Sequence, residues 1–166
     1  EAGDVDALLD AARFQGGYRA IAEGVNGMAR DQAELTRKLL ACISAFGQGD
    51  FAAPLEPFPG KKAEVNETVE YVRERLKALV ADAHRLSSAA VEGRFGERAD
   101  ASLHAGDFRK IVQGVNDTLE AILKPVNEIA ALLDALAEGK LASRLDAGRH
   151  RNDARALAER VNATVA

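Results

Sequence analysis

The chain has 166 residues, a formal net charge of −4 and a pI near 5.5. It is 47% apolar but only 5% aromatic, with no Trp, a mix suited to aliphatic amphipathic helices rather than to one thick globular core. Acids and bases are interspersed, so no basic face marks a nucleic-acid surface; no apolar run approaches the roughly 20 residues of a membrane span, and no leader with a basic start and apolar centre opens the chain.

In chain order, the first predicted element is a connector carrying Gly3, Val5 and Leu9. A helix follows, with apolar positions at Val25, Met28, Leu35, Leu39, Ile43 and Phe46, and with Gln32 on or near that stripe. Within it lies the one cysteine, Cys42, in LLACISAF; it excludes an internal disulfide or a cysteine metal site and reads as a small buried hydrophobe. Gly49 stops the helix, and Phe51 and Leu55 lie in the next connector, which Pro54, Pro57 and Pro59 stiffen. A second helix carries Phe58, Val65, Val69, Val72, Leu76, Leu79, Ala83 and Leu86 and stops at Gly93. After Phe95 and Ala99 comes the most regular segment: Phe108, Val112, Val115, Leu119, Ile122, Val126, Ile129, Leu133 and Leu136. Their steps of four and three form an a/d seam, narrower than the stripe of a globular surface helix. Gly139, Leu141 and Leu145 then lead into a last helix.

These elements repeat. Asn26, Asn66, Asn116 and Asn162 each close a Val-Asn pair, at 23, 17, 23 and 23 residues after Gly3, Gly49, Gly93 and Gly139. Each glycine is followed by an apolar residue two and six positions on. Such an array of units of roughly 40 to 50 residues is a repeat architecture. Hairpin loops in helical bundles are short and polar, whereas these connectors are long and keep two apolar positions. They are expected to lie along a helical bundle and bury those side chains, returning the chain to the beginning of the helix just left, so that the next helix runs parallel. The reach suffices: helix from Leu35 to Gly49 spans about 21 Å, and Gly49 to Phe58 extends to about 30 Å.

A helix, a G-x-[LF] step with an apolar residue four further on, and a second helix with Asn near its first turns together resemble the HAMP domain, the relay module of bacterial chemoreceptors, sensor kinases and cyclases. The segment PVNEIAALLDALAEGKLASRL carries the likeness best, with Pro125 fourteen residues before Gly139. The chain resembles a tandem HAMP array: a partial unit at 1–29 and units at 30–74, 75–121 and 122–166. It departs from the family in lacking the Asp-Glu pair that opens the second helix, and Leu35 and Leu79 stand where two units would have the proline. The resemblance implies an all-α fold: a parallel four-helix coiled coil made by a homodimer, with units joined through long continuous helices. It implies a signal relay by helix rotation, tilt or register between flanking sensor and output modules, on the cytoplasmic side, with no catalytic activity, cofactor or direct ligand. Two other classes remain open, a passive dimeric coiled-coil spacer and a monomeric helical interaction module.

Four further expectations concern details. The segment Asn66 to Gly93 is four residues longer than its counterparts, a stutter that shifts register and predicts that the second and third units pack differently from the fourth. Pro125 predicts a kink or break near residues 121–125. His84, His104 and His150 show no ligand spacing and read as lying in different parts of their units, with Arg149, His150 and Arg151 in a solvated loop. Glu120, Glu128 and Asp134 avoid the seam and read as solvent-facing, and the Asn residues are expected to make a polar contact near the helix start or to specify register.

Overall fold

The computed structural model describes residues 8–165; Gly3 and Val5 lie outside them. Four long helices dominate: α1 (Gly16–Gly47), α2 (Ala63–Val91), α3 (Gly106–Ala137) and α4 (Asn152–Thr164), with short 3-10 turns before each and no strand among the described residues. The chain divides into two compact bodies, one ending at Ala78 and one beginning at Leu79.

The helix ends are set by glycine. Gly49, Gly93 and Gly139 have φ of 86°, 75° and 85°, a region closed to most L side chains. Each ends its helix in the same way. The glycine N–H donates to the carbonyl three back, and the next N–H to the carbonyl five back: Asp50 to Ala45 (2.9 Å), Arg94 to Ala89 (2.8 Å) and Lys140 to Ala135 (3.0 Å). This is the Schellman arrangement, which satisfies carbonyls a helix end leaves orphaned.

Beyond each glycine the connector doubles back along its own helix. In the second body Arg94 bonds Ala89, Glu97 and the carbonyl of Arg98 meet Arg85, and His104 meets Asp82. In the first body Lys38 reaches Glu56, while the Cys42 thiol lies 3.9 Å from the Ala53 carbonyl. Rising connector numbers thus match falling helix numbers, and the following helix starts beside the earlier part of its predecessor and runs parallel to it. Gly106 (φ 56°) and Asn152 (φ 49°) turn the incoming extended strip into α3 and α4.

The apolar contacts are modest. In the second body Leu86, Ala99 and Val112 are buried together, with Leu79, Ala101 and Leu119 against them; Leu132 and Ala158 are buried at the equivalent places further on. In the first body the buried positions include Ala22, Ala33, Cys42 and Val69. The connector positions divide: Ala99 is buried, Leu55, Leu145 and Phe51 are half-buried, but Leu9, Phe95 and Leu141 are exposed. One chain by itself leaves these three uncovered. In the second body the strip seats Ala99 and Leu145 beside their Asn and leaves Phe95 and Leu141, nearer the glycine, outside.

One helix-level expectation changes. The helix α3 does not break at Pro125: it is continuous from Gly106 to Ala137, with Pro125 inside it and half-buried. Proline removes one backbone donor, and the helical turns on either side carry the chain across that gap. The a/d seam of α3 is largely open in one chain. Val115, Ile122, Val126 and Leu133 are exposed, and Phe108, Leu119, Ile129 and Leu136 are half-buried; of the nine, Val112 alone is fully buried.

Candidate functional site

The recurrent joint between connector and helix is the most organised feature of the molecule. Asn116 accepts from the Ala99 N–H (3.1 Å) and donates to the Ala99 carbonyl (2.8 Å). Asn162 does the same with Leu145 (2.8 and 2.9 Å), and Asn26 with Leu9 (2.8 Å for both). One carboxamide thereby satisfies both backbone groups of an extended residue, as a neighbouring strand would. In the short connector of unit 30–74, Asn66 instead accepts from Phe58 N–H (2.8 Å) and donates to the Glu56 carbonyl (2.9 Å). Leu55 is not clasped, because six residues are missing and the chain reaches the helix start sooner.

The residue after each clasped position is an aspartate. Asp10, Asp100 and Asp146 accept from the N–H two residues on, capping the 3-10 turn. The Asp100 carboxyl is held below its ordinary range, chiefly by the side chain and backbone N–H of Ser102. Beyond the turn lie His104 and His150. The His104 ring is buried, with Nε2 2.7 Å from an Asp82 carboxylate oxygen; His150 Nε2 lies 2.6 Å from Glu128. The His104 hydrogen bond is the first cause holding the Asp82 carboxyl below its ordinary range, with Arg85 adding to it and burial opposing.

These pairs correct the reading of the histidines. His104 and His150 occupy the same place, each 22 residues after its carboxylate partner, and His150 is buried rather than part of a solvated loop, although Arg149 and Arg151 beside it are exposed. Glu128 is half-buried against it, while Glu120 is exposed and meets Arg98 at 3.1 Å. The signal was present in the sequence: counted back from Asn116 and Asn162, both histidines stand at position minus twelve. His84 is exposed and shares neither position nor partner type.

Unit 30–74 is held differently. The buried Arg73 donates from Nη1 to the Phe51 carbonyl (2.8 Å), pairs with Glu70 (3.0 Å), lies 3.8 Å from the Cys42 thiol and stacks over the Phe46 ring at 5.0 Å. Phe46 and Phe51 meet edge to face. The connector bonding itself divides the units another way. Units 75–121 and 122–166 share one bonding scheme and unit 30–74 has another, because its connector is six residues shorter and carries no histidine before its helix.

Two open grooves complete the picture. Between α1 and α2 a groove of about 880 Å³ is lined by Leu39, Ile43, Phe46, Val65, Val69 and Val72. Between α2 and α3 one of about 500 Å³ is lined by Leu79, Ala83, Leu86, Val112, Val115 and Leu119. Both grooves are lined mainly by apolar side chains. Among the described residues no cluster of three His, Cys, Asp or Glu side chains is placed to hold a metal ion, and no helix is long and apolar enough to cross a membrane.

Comparison with known proteins follows the same joints. Residues 35–77 match the family model described as HAMP N-terminal domain 3, and residues 103–165 match the one described as HAMP domain. The chain is also 36% identical over 101 residues to the methyl-accepting chemotaxis protein McpB of Pseudomonas aeruginosa, an alignment covering 60% of this chain and 15% of that protein.

Proposed function

This chain is a tandem array of HAMP domains, and from that premise we propose that it is a signal-transduction relay working as a parallel homodimer. Each unit contributes two parallel helices per chain, and a second copy supplies the other two of a four-helix bundle. The observation that carries this reading is the apolar seam of α3. Val115, Ile122, Val126 and Leu133 lie uncovered in one chain and continue into a groove with aliphatic walls. Fully burying a Val, Ile or Leu side chain contributes about 1.5–3 kcal/mol; these four are 41–60% exposed, so covering them gains roughly half of that at each position and favours association. The units are taken as 1–29 (partial), 30–74, 75–121 and 122–166, with each second helix continuing into the first helix of the next.

A relay needs two packings of similar energy that an input can bias. A seam of aliphatic side chains without directional bonds suits small rotations, tilts or shifts of register, which would pass to a downstream output module of the same protein. The HAMP character and the chemotaxis relative support a non-enzymatic role between sensor and output modules, on the cytoplasmic side.

Sedimentation equilibrium over a wide concentration range tests the assembly. A dimer supports the parallel bundle; a compact monomer overturns it. Deleting unit 75–121 from the receptor tests the relay, because a passive spacer tolerates the deletion without a change in output sign and a relay does not.

A further inference from the structure

The histidine pairs are not needed to explain the seam, the clasps or the repeat, yet two units build them at identical places. We propose that His104 and His150 are positioning latches: each ring fixes the axial offset between the two parallel helices of its unit, and its release is the step by which that unit changes packing. The second half of this proposal rests on the relay reading above.

An apolar seam leaves sliding of one helix along the other nearly free. Contacts such as Leu86 with Val112 are non-directional, and one helix can slide along another at small cost as long as area stays covered. A hydrogen bond of 2.7 Å cannot follow such a slide, because it weakens steeply with distance and angle. The ring stands two residues before the helix start, so the His104 bond to Asp82 ties the beginning of α3 to the flank of α2. His150 ties the beginning of α4 to Glu128 on α3 in the same way.

The latch at His104 is braced from both helices. Arg85 of α2 holds the other Asp82 oxygen at 3.1 Å and also grips Glu97 and the Arg98 carbonyl of the connector. From α3, Arg109 donates to the His104 carbonyl at 2.9 Å. The His104 side chain is 1% exposed and that of His150 6%, whereas the pairs along helix surfaces, such as Arg19 with Glu23, are more than half exposed. Water therefore competes little for the two histidine bonds, and breaking one leaves a polar group in a dry place, as Nδ1 of His104 already is. Such a bond is either made or lost, which gives a unit two states rather than a continuum. Unit 30–74 is held at the other end of its connector, where Arg73 clamps Phe51, so its helix start carries no such latch.

The test uses the 166-residue chain. Imidazole NMR should show ring N–H protons protected from solvent at His104 and His150 and none at the exposed His84. Amide hydrogen exchange should then separate the two units. His104→Leu keeps an apolar side chain but loses the bond, and should speed exchange across residues 94–105 about tenfold while leaving 140–151 unchanged; His150→Leu should do the reverse. His104→Gln, whose terminal amide donates from nearly the same point, should restore protection. Equal behaviour of the Leu and Gln variants, or no protected ring protons, would overturn the latch. None of these readings depends on signalling. Should the exchange respond while His104→Leu leaves the receptor output unmoved, the relay reading would be the part overturned and the bond would stand.

Discussion

The carboxamide of Asn116 closes both of its hydrogen bonds on one residue, Ala99, seventeen positions earlier in the chain. That bond pair fixes where the connector lies on the helix that follows it, and Asn26 and Asn162 repeat it. Replacing Asn116 by Ala removes two bonds and strands the N–H and carbonyl of a buried residue. A loss of about 1–3 kcal/mol is expected, read as a fall in the urea midpoint. A midpoint unchanged within error would mean that water takes over both bonds and that the clasp does not hold the connector.

Backbone strain gives a cleaner case at Gly106. No atom lies within 4 Å of where a Cβ would sit, yet its φ is 56°. Gly106→Ala should therefore cost about 1–2 kcal/mol through conformation alone, with no clash. Gly106→Asn should cost less, since Asn152 already holds φ 49° at the equivalent start of α4. Thermal melts of the two variants check the order.

The open seam predicts assembly behaviour. Ile122 is exposed in one chain, so Ile122→Asp should leave helical content intact at low concentration while shifting the dimer to monomer in sedimentation. Leu119 touches the buried cluster, and Leu119→Asp should lower the melting temperature as well, because a charge enters a dry contact. If both variants stay dimeric, the seam is not the interface.

Acid stability follows from Asp82. Its folded pKa lies below the ordinary carboxylate value, first through the His104 hydrogen bond and then through Arg85. A carboxyl depressed by folding adds stability that is fully present above its unfolded pKa, near 4, and is lost as pH falls through the lower folded value. The melting temperature should decline below about pH 4, and Asp82→Asn should lower it at pH 7 while flattening that decline. A parallel decline in both proteins would remove Asp82 as the cause.

Much of this was legible in residue order. The helices, their glycine stops and the repeat marked by Asn follow from local chemistry, since a left-handed turn favours glycine and next to it asparagine. The exchange of Gly106 for Asn152 at a shared positive φ is the kind of substitution that such chemistry allows. The histidine pairs were obscured for a physical reason. A bond between Asp82 and His104 requires the connector to double back along α2 by a specific amount, and that distance is fixed by the Asn116 clasp and the Asp100 turn acting together.

The sequence by itself determined that this chain is helical, repeated and striped with a narrow aliphatic seam, because periodicity and capping act within a few residues. Only the tertiary structure decided which polar groups meet across the connectors, that α3 continues through Pro125, and that Val115, Ile122, Val126 and Leu133 stay uncovered in one chain. A periodic pattern states which face of a helix is apolar. What lies against that face depends on where distant segments return, and here the connectors return to the flank and leave the seam open.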